Sequence, residues 1–317
     1  VLEGCGMTAL IDVQGVSMLY SGGVRALDDV SLVLQAREIV GLVGESGSGK
    51  TTLCRVMMGL ARPTGGDVMV DGTTRLIDML TRDRLAYRRR AQMLQQDAMA
   101  SLSPRMRLRD QLAEPIAIHG MNKAEGWARV LDLLTRMGLS HGILDKYPHQ
   151  ISGGQARRVA VARALVLSPS VIVADEPTAG LDVSVQGDLL NLLLDLQAEF
   201  SLTYLVASHN LNVIRRISDR IVVMYLGQIV EQGRTPDVFA RPAHPYTAAL
   251  LSTNPVVDPA RRKTRIVLEG EIPSVVNPPP GCRFHTRCPQ VQDRCRVDVP
   301  VLREMDGRDV RCHFPLL

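Results

Sequence analysis

An apolar pentapeptide, Ile39-Val40-Gly41-Leu42-Val43, runs without a break into Gly44-Glu45-Ser46-Gly47-Ser48-Gly49-Lys50-Thr51. No other feature of the 317-residue chain limits its folding choices as strongly. The octapeptide fits G-x-x-x-x-G-K-[ST] at every position, and a helical pattern opens at Lys50. A buried strand, a glycine loop and a helix N-terminus, in that order, converge backbone N–H groups on phosphate oxygens. Lys50 has the reach for β- and γ-phosphates, the Thr51 hydroxyl is placed to ligate Mg²⁺, and Thr52 stands beside it in the first helical turn. The chain is therefore expected to bind a nucleoside triphosphate.

The remaining pattern predicts an α/β fold. Short strands are expected at 10–13, 16–20, 30–35 and 68–71. From about Arg82 to Leu167 helix-length amphipathic stretches take over, among them 127–137 and 155–167, with breaks at Pro104, Pro115 and Pro148. Strand signals return at 171–174, Thr203–Ala207 and 221–225, and leucines at 189, 190, 193, 194 and 196 give the stretch 188–200 an apolar helix face. This alternation predicts a sheet of buried strands with an inserted helical block. Beyond about Pro236, a series of prolines including the run Pro278–Pro280 marks a loop-rich appendix.

Two further segments carry chemistry. Val171-Ile172-Val173-Ala174-Asp175-Glu176 is an apolar strand ending in two acids. The end of such a strand is where an open α/β sheet presents ligands, so Asp175 suits Mg²⁺ and Glu176 can take a proton from an attacking water. Upstream, Ser152-Gly153-Gly154-Gln155 is a second glycine turn opening a helix, and so a second phosphate cradle. One γ-phosphate needs only one cradle from each chain, which points to the nucleotide of a second subunit.

The ordered set resembles the ATP-binding subunit of an ABC transporter over about residues 7–235. It comprises the phosphate loop, Gln96, the Ser152–Gln155 signature, Asp175-Glu176, the turn at 179–182 and His209. The resemblance implies a P-loop NTPase cassette at 7–236, with a helical subdomain at about 91–167 and a C-terminal extension at 237–317. It implies that Tyr20 stacks on adenine, that Gln96 senses Mg²⁺ and the attacking water, and that His209 contacts the γ-phosphate. It assigns Asp182 to communication across a dimer interface, although an N-cap for the following helix suits the same position. The sequence departs from the family at Arg37, where glycine is usual, at Ala98, where proline is common, and at Asn210, where aspartate commonly follows the histidine. None of these removes a phosphate or Mg²⁺ contact, so a competent ATPase is expected.

The appendix narrows the reading. His244-Pro245-Tyr246-Thr247 resembles a segment typical of the oligopeptide, dipeptide and nickel branch, with no chemistry to assign to His244. Cys282, Cys288, Cys295 and Cys312 follow at wide spacing, whereas zinc sites usually show paired C-x₂₋₄-C knuckles. Four thiolates so spaced suit a [4Fe–4S] cube, and similar peptide-transporter subunits carry one in this tail; zinc, or free or disulfide-linked thiols, remain the alternatives. Cys5 and Cys54 stand apart, the latter read as a small core residue.

Composition excludes other classes. Thirty-seven Lys and Arg against 33 Asp and Glu leave a net charge of +4, and aromatics are 3%, too little of either for nucleic acid. The basic runs Arg88-Arg89-Arg90 and Arg261-Arg262-Lys263 read as solvated surface. No apolar run reaches the 18 residues of a membrane helix, so if the protein works at a membrane, other subunits must supply the spans. The resemblance implies a second ATP-binding subunit, two permease subunits and an extracytoplasmic substrate-binding protein, with this chain at the cytoplasmic face of the plasma membrane. A nickel, metal-chelate or other small-solute importer is the nearest alternative function, and a soluble non-transport ABC ATPase the alternative of another class.

Overall fold

The computed structural model describes residues 9–253 and 266–316. Cys5, Pro255, Pro259 and the basic run Arg261-Arg262-Lys263 lie outside the described residues. The chain divides into two compact units, one formed by residues up to 76 together with those from 206 onward, the other by residues 77–205.

In chain order the first unit holds β1 (Ala9–Leu19), β2 (Arg25–Gln35), β3 (Ile39–Val43), α1 (Lys50–Met57), β4 (Gly65–Val70) and β5 (Thr74–Arg75). After α2 (Leu76–Arg82) the second unit contains α3 (Arg84–Arg90), β6 (Ala91–Leu94), α4 (Leu108–Ile118), α5 (Lys123–Arg136), α6 (Gly153–Leu165), β7 (Val171–Asp175) and α7 (Val183–Phe200). The chain returns along β8 (Thr203–Ala207) to α8 (Leu211–Ile217), β9 (Arg220–Tyr225), β10 (Gln228–Arg234) and α9 (Thr235–Ala240). The C-terminal part adds α10 (Pro245–Ser252), α11 (Asp293–Val297), β11 (Arg303–Met305) and β12 (Arg308–Val310).

Within the first unit, β1 is central to an antiparallel sheet of order β2-β1-β4-β5. The expected break between strands 10–13 and 16–20 is instead a bulge inside one strand. Register against β2 shifts between Val13 and Val16, where Gly15 takes φ 55°. A glycine in the left-handed region absorbs an extra residue without ending the strand. In the other sheet β3 pairs in parallel with β9, with Val40 opposite Arg220, and β9 continues antiparallel to β10. The C-terminal hairpin of β11 and β12 extends this sheet, Glu231 lying opposite Val310. The appendix is thus stitched to the strand that precedes it, not a chain of loops alone.

In the second unit β6 and β7 pair in parallel, Leu94 opposite Ala174. Every residue of β3, β7 and β8 is buried, as strands covered on both faces require. Pro115 lies inside α4 and does not end it. The proline deprives the helix of one backbone hydrogen bond, and the burial of Leu108, Leu112 and Ile116 along one face holds the helix through that loss. Pro148 opens a single 3₁₀ turn, Pro148–Gln150, just ahead of the second glycine turn.

Candidate functional site

The phosphate loop depends on two glycines. Gly44 has φ 157°, and a Cβ there would lie 2.3 Å from the Met224 carbonyl oxygen. Gly49 has φ 107°, and its Cβ would lie 2.5 Å from the Ala26 carbonyl oxygen. Gly49 is also the N-cap of α1 and offers no side-chain acceptor. The cap itself therefore satisfies none of the first-turn N–H donors, an arrangement suited to an anionic ligand. The buried Lys50 ammonium folds back over the loop, donating to the carbonyls of Gly44 at 2.7 Å and Glu45 at 3.0 Å. Gly44 through Thr52 run from the end of β3 into α1. Tyr20 follows the end of β1, half-buried, and the turn there is closed by its N–H donating to the Val24 carbonyl at 2.9 Å.

His209 is exposed and lies between β8 and α8. Asn210 caps α8, its Oδ1 accepting from the N–H groups of Asn212 at 3.0 Å and Val213 at 3.4 Å. An asparagine makes this cap as well as an aspartate would, which accounts for the departure at that position.

In the second unit Asp175 is the last residue of β7 and is buried. Glu176, one step on, is half-buried at φ 52°, and the turn after it is closed by the Ala179 N–H on the Glu176 carbonyl at 3.1 Å. A non-glycine residue in this region is strained, and such strain gathers at functional sites.

Ser152 and Gln155 form a capping box, for which their S-x-x-Q spacing was the available signal. The Ser152 Oγ accepts from the Gln155 N–H at 3.2 Å, and the Gln155 Oε1 accepts from the Ser152 N–H at 3.1 Å. The box starts α6 at Gly153 and Gly154 and holds the glycines open. A cavity of about 280 Å³ beside it is lined by Ser152, Gly154, Gln155, Arg157, Leu181 and Asp188. The Arg157 guanidinium donates to the Ala179 carbonyl, tying α6 to the turn after Glu176. Asp182 occupies the N-cap position of α7 but makes no side-chain capping bond there. Gln96, exposed, stands two residues past β6.

The C-terminal extension contributes a site of its own. Cys282, Cys288, Cys295 and Cys312 all line one cavity together with His244, Phe284, His285 and His313, and none is in a disulfide. Burial pushes the Cys282 thiol up to about 12 and the Cys312 thiol to about 11, and raises Cys288 in the same direction. Among the described residues no three His, Cys, Asp or Glu side chains are grouped to hold a metal ion. Cys54, on α1, is buried in the core.

Several residues that hold this extension were not foreseen. Glu231, fully buried in β10, accepts from the N–H groups of Ala243 at 2.8 Å and His244 at 2.9 Å. Burial pushes its carboxyl above the usual range, while those N–H groups and the Arg308 guanidinium pull it back. His244 is the N-cap of α10, its Nδ1 accepting from the Tyr246 N–H at 3.0 Å, and burial lowers it to about 3. Tyr246 in turn accepts, at its hydroxyl, the N–H of Glu45 in the phosphate loop at 3.0 Å. Arg287 grips the Glu45 carboxylate with two nitrogens, at 2.7 and 3.2 Å. The signals available were the His244–Thr247 segment, to which no role had been given, and Glu231, an acid inside an otherwise strand-like run; nothing near Arg287 in sequence marks its partner.

Residues 27–179 match the family described as ABC transporter, and residues 230–295 match the oligopeptide/dipeptide transporter C-terminal region. The chain is 48% identical to the "Probable peptide ABC transporter ATP-binding protein" of Sinorhizobium fredii, across 92% of this chain and 82% of the relative. It is 44% identical to the di/tripeptide transport ATP-binding protein of Pseudomonas aeruginosa, across 92% of this chain and 90% of the relative. Among solved structures it resembles a subunit of a CbiONQ transporter complex from Clostridium perfringens, with a TM-score of 0.67 and 29% identity over 74% of this chain and 91% of that one.

Proposed function

The chain belongs to the ABC transporter family as an ATP-binding subunit of the oligopeptide/dipeptide type, and from that premise we propose that it hydrolyses ATP to power peptide import through a multi-subunit complex. One observation carries this reading: the match to the ABC transporter family over residues 27–179 shares a chain with a match to the oligopeptide/dipeptide transporter C-terminal region over 230–295. No helix among the described residues is long and apolar enough to cross a membrane. The membrane path then belongs to two permease subunits, with this chain at their cytoplasmic face and a substrate-binding protein delivering cargo from the other side. Residues 7–236 form the ATP-binding domain, about 91–167 its helical subdomain, and 237–317 the extension.

The residues take these roles. Gly44 through Thr52 cradle the phosphates, Lys50 neutralising their charge, and Tyr20 packs on the base. Thr51, Asp175 and Gln96 would hold Mg²⁺, which would supply charge neutralisation for the phosphates. Glu176 accepts the proton of the attacking water and His209 steadies the γ-phosphate. Ser152–Gln155, presented by its capping box, serves the nucleotide of a second ATP-binding subunit, and Asp182 signals across that junction. Two such subunits close on ATP and separate after hydrolysis.

A [4Fe–4S] cluster is the group we propose for the four cysteines. Their thiols share one cavity and are not oxidised to disulfides, while among the described residues no three His, Cys, Asp or Glu side chains are grouped to hold a metal ion. Cys282, Cys288, Cys295 and Cys312 would hold such a cluster through their sulfurs, and it would supply a redox-capable, structure-holding centre.

Replacing Glu176 by Gln in the assembled complex tests the ATPase assignment. Removal of a general base lowers turnover about 10²–10⁴-fold, while ATP binding persists. Undiminished turnover would overturn the assignment.

A further inference from the structure

The phosphate loop is held from outside by the C-terminal extension. Glu45, the second residue of the loop, is gripped twice. Its carboxylate takes a forked ion pair from Arg287, and its backbone N–H donates to the Tyr246 hydroxyl at 3.0 Å. Both contacts reach across more than 200 residues of sequence, 242 for Arg287 and 201 for Tyr246.

The grip is well supported. The Arg287 side chain is 8% exposed and that of Glu45 25%, so this is no solvated surface pair. Arg287 also lies over the Tyr225 ring at 5.9 Å. Tyr225 and Tyr246 pack at 4.7 Å, and Phe284 stands edge-on to both, at 5.2 and 5.4 Å. In a chain with only 3% aromatic residues, three rings are spent on fixing these two contacts. A forked guanidinium–carboxylate pair fixes direction as well as distance.

We infer that Arg287 and Tyr246 are positioning residues for the phosphate loop, so that ATP affinity depends on the docked C-terminal extension. The inference rests on the ATP-binding reading above. The loop must present its N–H groups in one arrangement, and its glycines leave the backbone free to take others. A loop anchored at Glu45 loses less freedom when phosphates bind, which is how preorganisation raises affinity. Arg287 directly precedes Cys288 and Tyr246 directly follows Pro245, and Cys288 and Pro245 both line the four-cysteine cavity. The wall of that cavity and the anchor of the phosphate loop are therefore the same two segments.

The test measures Mg-ATP affinity and steady-state hydrolysis in the assembled complex for Arg287→Ala, Arg287→Lys, Tyr246→Phe, Glu45→Ala and the Glu45→Ala/Arg287→Ala pair. Arg287→Ala is expected to raise Kd and KM for ATP about 10-fold, which corresponds to 1.4 kcal/mol, with kcat within about 3-fold of wild type because no reacting group is touched. Arg287→Lys is expected to recover part of the loss, keeping charge without the fork. Tyr246→Phe, which keeps the ring and removes one acceptor, gives a smaller rise in Kd and covers the case in which Arg287→Ala does not fold. Adding Arg287→Ala to Glu45→Ala is expected to cost nothing further. Wild-type affinity in Arg287→Ala, or additive losses in the double variant, would overturn the inference. If the wild-type complex itself binds no ATP, it is the functional reading that fails, not the anchor.

Discussion

Glu231 Oε2 accepts the backbone N–H of His244 at 2.9 Å from a fully buried position in β10, binding the start of α10 to the sheet. Oε1 of the same carboxylate takes the Ala243 N–H, and Arg308 lies 3.6 Å away. Removing one partner of a buried pair leaves the other uncompensated, at a cost of about 3–5 kcal/mol. Glu231→Ala is therefore expected to destabilise the protein by that order in urea unfolding. Glu231→Gln should cost less, since its carbonyl oxygen can still accept one N–H. A loss below about 1 kcal/mol for Glu231→Ala would show that the carboxylate does not hold the extension.

His244 gives the stability a pH dependence. Burial lowers it from 6.5 to about 3, so between those values the unfolded chain binds the proton and the folded chain does not. Stability then rises with pH across this window and is lost as pH falls below 6.5 toward 3. The cap geometry agrees, because Nδ1 accepts from the Tyr246 N–H and cannot do so when protonated. His244→Asn keeps an acceptor without titrating, and urea unfolding at several pH values should show a shallower acid slope for it. An unchanged slope would assign the acid sensitivity elsewhere.

Arg37 sits at φ 64°, the left-handed conformation that glycine adopts at no steric cost. A non-glycine residue there carries about 1–2 kcal/mol of strain, partly offset by the roughly 0.5–1 kcal/mol of extra chain entropy that glycine loses on folding. Arg37→Gly is expected to leave ATP turnover unchanged and to stabilise the protein by up to about 1 kcal/mol. A clear loss of stability would mean that the arginine side chain contributes more than the backbone strain costs.

What could be read before the structure follows from the range of each interaction. β3, β7 and β8 are buried on both faces, so they appear as continuous apolar runs, and the loops at their ends carry the motif residues. The break expected between residues 13 and 16 and the stop expected at Pro115 were local signals overridden by pairing with β2 and by core packing of α4. The support of the phosphate loop was illegible for the opposite reason. Arg287 and Glu45 are 242 positions apart, and their partnership exists only once the C-terminal segments have docked.

The cysteine cavity makes an analytical prediction. Anaerobically purified protein is expected to be brown, with iron and acid-labile sulfide near about four each per chain. Substituting any one of Cys282, Cys288, Cys295 or Cys312 by Ser should lower both together. Colourless protein with stoichiometric zinc would contradict the cluster.

The central claim is that hydrolysis at these motifs powers peptide import. The direct measurement is ATP hydrolysis by the complete complex in proteoliposomes, with and without peptide-loaded substrate-binding protein on the opposite face. The account predicts that peptide-loaded binding protein raises the rate, that the unloaded protein does so less, and that Glu176→Gln abolishes the response. A rate indifferent to peptide but raised by a nickel or metal-chelate cargo would contradict it.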